Sequence, residues 1–135
     1  MIYELLNMSQ VLEAVKSTGT EVRYHHDRCQ THQVSGFYRI GADVDMLVIC
    51  PPNHNNHSDI LNTVRHEAIH VVQACNRGPI LSYDYYLKNA PEDVKDSVSH
   101  YPQDEHTQHM ELEAHMGAKY LSEQEVINMI NKYCF

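Results

Sequence analysis

The stretch Arg65-His66-Glu67-Ala68-Ile69-His70-Val71-Val72-Gln73 decides how this chain is read. It lies inside a longer run, Ile60 to Cys75, in which Ile60, Leu61, Val64, Ala68, Ile69, Val71 and Val72 give an apolar background at helical spacing. Ser58-Asp59 predicts the helix start, with Ser58 as N-cap and Asp59 favoured at the positive helix end. Asn76-Arg77-Gly78-Pro79 predicts its stop. On such a helix His66 and His70 sit about 40° apart, one turn above the other. Two imidazoles so placed can reach one zinc ion at about 2.0–2.1 Å. Glu67 stands beside the first of them and can take a proton from a water whose pKa zinc lowers towards about 7. The spacing therefore marks His66 and His70 as metal ligands and Glu67 as general base.

The bare pattern is not rare enough to stand alone. With 11 His and ten Glu in 135 residues, chance supplies roughly 0.06 such strings. The capped helix around it lowers that risk, because charged groups avoid apolar surroundings unless they are paired. The competing reading is an amphipathic helix whose His and Glu simply face solvent.

Outward from the motif, residues 3 to 17 carry Leu5, Met8, Val11, Leu12 and Val15 at helical spacing and end at Gly19, which predicts one helix. Glu21 to His25, Val34 to Ile40 and Met46 to Cys50 read as short strands, with a turn at Gly41-Ala42-Asp43. Short helices are expected at Tyr83 to Leu87 and Val94 to Val98, and a longer one from about Gln103 to Leu121. Ser122-Glu123-Gln124-Glu125 matches a capping box opening a last helix. The expected architecture is one α+β domain over residues 1–135, a small sheet packed on the motif helix with several further helices.

The motif and the block Glu111-Leu112-Glu113-Ala114-His115-Met116-Gly117-Ala118 together resemble the zincin metallopeptidases, in the gluzincin branch. That resemblance implies a minimal zincin-like domain, Zn2+ as cofactor, and a Glu from the second helix as third ligand. Glu111 takes that position, and His115 stands where the family usually has Asp or Asn. Helix geometry bears on the choice between Glu111 and Glu113. Met110, Ala114, Gly117, Ala118 and Leu121 form an apolar stripe, from whose centre Glu111 lies about 60° and Glu113 about 100° away. Glu111 is preferred on both grounds. Peptidases of this type usually add a Tyr or His that stabilises the oxyanion; Tyr83, Tyr85, Tyr86, His109 and His115 are candidates that the sequence does not rank.

The remaining His and Cys are weaker signals. His25, His26, Cys29 and His32 have C-x-x-H spacing but no distant second pair, so a loop near the cleft is expected rather than a second metal site. His54, His57, His100, His106 and His109 are expected to face solvent. No basic leader or long apolar run is present, which predicts neither a secretory signal nor a spanning helix, and hence a cytoplasmic protein with Cys29, Cys50, Cys75 and Cys134 as free thiols. A Cys29–Cys50 disulfide remains open. The formal charge of -8 argues against nucleic acid as partner. The expectation is a zinc-dependent hydrolase of a protein or peptide substrate. The alternatives are a non-catalytic zinc protein whose fold serves a partner, and a helical binding protein with an accidental motif.

Overall fold

The computed structural model describes residues 2–135. The chain opens with helices α1 (Ile2–Asn7) and α2 (Gln10–Ser17), then strand β1 (Glu21–Arg23) and a one-turn helix α3 (Asp27–Thr31). Strands β2 (Gly36–Ile40) and β3 (Asp45–Ile49) follow, and a 3-10 turn over Pro51–Asn53 leads into the long helix α4 (His57–Asn76). Helices α5 (Tyr83–Asn89), α6 (Glu92–Val98), α7 (Glu105–Tyr120) and α8 (Glu123–Cys134) complete it. This is the expected α+β arrangement, with a small sheet against the motif helix.

The sheet order is β1-β3-β2, with β1 parallel to β3 and β2 antiparallel to it. The central strand β3 is buried from Met46 to Ile49, as an apolar run lying between two layers must be. Leu47 and Ile49 face the main core with Ile60, Val64, Ala68, Val71 and Val72 of α4. Val11, Leu12 and Val15 of α2 and Val126 and Ile130 of α8 close that core from the other side. Met46 and Val48 face the opposite way, into a smaller cluster with Phe37 and Cys50. A third cluster, Tyr86, Ala90, Val94, Val98 and Leu112, ties α5 and α6 to α7.

Two glycines set the spacing around α4. A Cβ at Gly36 would lie 2.7 Å from the Val48 carbonyl oxygen and 2.8 Å from Thr63 Cγ2, so β2 passes α4 at a distance that only glycine allows. A Cβ at Gly117 would collide with the Ile69 side chain, so glycine lets α7 lie close against α4.

Several expectations need correction. The run over residues 3 to 17 is two helices, because the Ser9 hydroxyl accepts from the Leu12 amide at 3.2 Å and opens α2 afresh. Helix α4 starts before Ser58: Asn56 is its N-cap and accepts from the Asp59 amide at 2.9 Å. The loop expected around residues 25–32 contains α3, capped by the His26 ring, whose Nδ1 accepts from the Arg28 amide. The cysteines are not free thiols: Cys29 pairs with Cys50, and Cys75 with Cys134. The second bridge joins the end of α4 to the end of α8, two segments that α4–α8 packing already brings together. The Ser122 capping box forms as expected, with Ser122 and Glu125 bonded reciprocally.

Candidate metal centre

Helix α4 presents His66, Glu67 and His70 on the face turned towards α7 and β2. His66 and Glu67 are buried and His70 nearly so, an environment that a polar group enters only with a partner. The partner comes from α7. Glu111 Oε1 lies 3.2 Å from His66 Nε2, and Glu111 Oε2 lies 3.1 Å from His70 Nε2. One carboxylate thus bridges both imidazoles.

Behind His70 runs a chain of bonds whose polarity is fixed by chemistry. The Gln73 amide nitrogen donates to Glu113 Oε1 at 3.0 Å and to the Met110 carbonyl at 3.1 Å, both of which only accept. Gln73 Oε1 must therefore face His70 Nδ1, 2.7 Å away, and that nitrogen carries the proton. Nδ1 thus keeps its proton, and loss of the Nε2 proton that faces Glu111 leaves there the lone pair with which histidine binds a metal.

Glu113 itself is elsewhere. It is 3% exposed and accepts from the Ile80 and Leu81 amides and the Tyr86 hydroxyl at 2.7–3.0 Å. The structure therefore brings Glu111, and not Glu113, to His66 and His70. The helix-face reasoning is corrected all the same: Glu113 is the more deeply buried of the two, because α5 and the Ile80-Leu81 segment supply donors that periodicity along α7 cannot reveal.

Among the described residues, two sets of ligand atoms lie within 4.8 Å of one another: His66 with Glu67 and His70, and His66 with Glu111 and His115. Donor atoms around a tetrahedral zinc at about 2.0–2.2 Å are about 3.3–3.6 Å apart, close to the His–Glu111 separations here. Neither set is the His66–His70–Glu111 trio, but Glu111 lies 3.2 Å from His66 Nε2 and 3.1 Å from His70 Nε2, and these three residues could hold such an ion. Glu67 has the place of a base beside it.

The sequence pattern of one family matches residues 4–135. The chain belongs to that family, described as Domain of unknown function (DUF8637). No curated protein and no solved structure matches. Membership carries no activity with it, so the chemistry rests on the side chains.

Their protonation is far from ordinary. Burial pushes the Glu67 carboxyl up, more strongly than the neighbouring His66 and His70 pull it down. Burial alone would lower His70, but the bond to Glu111 and the charges of Glu67 and Glu111 outweigh it and raise it to about 9. For Glu111 burial works upward, yet the two imidazoles hold it well below the usual carboxylate range. His115 is depressed to about 4, by burial first and the charge of His66 second, so it is neutral near pH 7. Its ring packs edge-on to His66 with centroids 4.5 Å apart, and its buried Nε2 has no hydrogen-bond partner.

The centre opens on a cavity of about 580 Å³ between β2, α3, the end of α4 and the start of α7. Tyr101 lines it, and sequence reasoning missed this residue. Its hydroxyl is raised by burial and by the charges of Glu111 and Glu67, so it stays protonated as a donor. Its only sequence signal was a position just before α7, the helix that carries Glu111. None of the three Tyr named beforehand reaches the cavity: Tyr86 serves Glu113, Tyr83 packs on His109, and Tyr85 is on the surface. His109 bonds the Leu81 carbonyl at 2.7 Å. His26 caps α3, Cys29 is in a disulfide, and His32 bonds Thr31, so the second His/Cys cluster does not come together as a site. His54, expected in solvent, is half-buried and bonded to Thr63 at 2.8 Å.

Proposed function

We propose that this protein is a zinc-dependent hydrolase of the gluzincin type, acting on a protein or peptide substrate. One observation carries the reading: a carboxylate from α7 reaches both imidazoles of the α4 motif, one oxygen to each. A helix whose His and Glu merely faced solvent would not bury them around a partner from another element. Bound zinc would supply Lewis acidity at this point and acidify a water there. The chain's own groups do the rest. His66, His70 and Glu111 hold the ion, Gln73 fixes the His70 tautomer, and Glu67 takes a proton at its carboxylate and returns it to the leaving amine. Tyr101 is the donor placed to stabilise negative charge developing on a carbonyl oxygen in the cavity.

A second reading has its own observation. The unpartnered Nε2 of His115 beside His66 and Glu111 would suit a fourth ligand, which would close the centre and make the ion structural.

No helix among the described residues is long and apolar enough to cross a membrane. Two disulfides weigh against the reducing cytoplasm that the sequence suggested, and we place the working form in an oxidising compartment.

The test is hydrolysis of a peptide library by zinc-loaded wild type and Glu67→Gln. The reading expects cleavage reduced at least ~100-fold in the variant, with zinc content unchanged. Full activity in Glu67→Gln would sink it. A zinc-loaded wild type inert towards every peptide, in which His115→Ala admits exogenous azide to the cobalt(II)-substituted centre, would favour the structural reading.

A further inference from the structure

The protein is acidic, with 18 Asp and Glu against 10 Lys and Arg. Its cavity is not. Apart from Glu67 and Glu111 of the proposed metal centre, no acidic side chain among the described residues lines it, whereas Arg28, Arg77 and His106 do. Random placement on so acidic a surface would put more carboxylates than guanidinium groups around an opening of this size.

Neither arginine is committed to a carboxylate of the protein. Among the described residues neither forms an ion pair. The Arg28 guanidinium lies over the Phe37 ring, 4.8 Å from its centroid, a stacking that leaves the N–H edge free to bind a carboxylate. The backbone beneath it is fixed twice, by the His26 cap at its own amide and by the disulfide of the next residue, Cys29. Arg77 also lines the cavity, as the C-cap of α4 with φ +59°. That left-handed conformation is the usual end of a helix, and it fixes the Arg77 backbone through bonds from its amide to the Ala74 and Gln73 carbonyls.

We propose that the cavity is a recognition site for carboxylate groups of the peptide substrate, with Arg28 and Arg77 as its two anion-binding side chains. Acidic peptides, or peptides ending in a free carboxylate, are the substrate class. This deepens the peptidase reading and rests on it for the substrate being a peptide. The guanidinium groups act as binding residues and move no proton.

The experiment measures binding of short fluorescent peptides to zinc-loaded Glu67→Gln protein, by anisotropy at low and high salt. The set compares Glu with its neutral isostere Gln at each position, and free with amidated C-termini. The site expects the carboxylate form to bind on the order of tenfold more tightly. The preference should weaken with salt, shrink severalfold in Arg28→Gln and in Arg77→Gln, and survive in part in Arg28→Lys. Side-chain dependence would assign an acidic residue, and C-terminal dependence an exposed chain end. Equal binding of Glu and Gln peptides and of free and amidated ends would overturn the proposal, as would a preference untouched in the double arginine variant or no binding by any peptide. The outcome separates from the metal reading, because the same titration runs on metal-free protein. An arginine-dependent acid preference in a chain that binds no zinc would uphold this site while the peptidase reading fell.

Discussion

Two carboxylates two residues apart on α7 have opposite surroundings. Glu113 accepts from two backbone amides, a tyrosine hydroxyl and a glutamine amide whose other proton goes to the Met110 carbonyl. Glu111 instead faces two imidazoles that each have better uses, beside a buried acid and a histidine nitrogen with no partner. The first region is a closed account of hydrogen bonds, which is how buried polar groups are made stable. The second is open, with displaced protonation and a cavity at its mouth, which is how sites are made reactive. The two are linked through Gln73, which touches Glu113 on one side and His70 on the other.

The contrast should break most visibly at a proposed ligand. His70→Ala should weaken zinc binding on the order of a thousandfold, taking ~4 kcal/mol for each of the three proposed ligands, and should also cost the metal-free fold the His70–Glu111 pair; a competition titration of the folded variant with a chelating dye reads the zinc affinity. Glu113→Ala should act chiefly on stability. It strands the Ile80 and Leu81 amides, the Tyr86 hydroxyl and the Gln73 amide, at a cost of about 3 kcal/mol and a melting point roughly 10 °C lower, with zinc affinity far less affected than in His70→Ala. Thermal unfolding of the metal-free variant checks it.

The link between the regions gives a smaller effect. Gln73→Leu frees His70 to adopt the wrong tautomer and should lower zinc affinity roughly 10- to 100-fold without removing any ligand. The smallest is the pH dependence. His70 in the metal-free protein keeps its proton up to about 9 against an ordinary 6.5, so its contribution to stability is complete below pH 6.5 and is lost as pH rises through about 9. Zinc must displace that proton. Its affinity should climb by up to about tenfold per pH unit towards pH 9 and level off above, as titrations across that range would show.

Much of this was legible in the sequence where local rules act alone. The α4 pattern, the three strands and the Ser122 box depend on periodicity and capping, which neighbouring residues carry. The histidine pair and Glu67 were readable because a helix converts spacing into geometry without help from the rest of the fold. What was not legible depends on distant partners. A hydroxyl that opens a new helix at Ser9 and an imidazole that caps α3 at His26 give no periodic signal. The Cys75–Cys134 bridge spans 59 positions and follows from α4–α8 packing. Glu111 was preferred partly on the helix face, yet Glu113 proved the deeper group; donors from residues 80–86 decided their roles. Tyr101 carries no local motif and Arg77 read only as part of a helix stop; the shape of the cavity gathers them.

The most direct test of the account is zinc content by elemental analysis, on wild type, Glu111→Gln and Glu113→Gln purified side by side and loaded with the same zinc. The account predicts near-stoichiometric zinc in wild type and Glu113→Gln and little in Glu111→Gln. A wild type that binds none, or a Glu111→Gln protein that keeps its full complement, would contradict it.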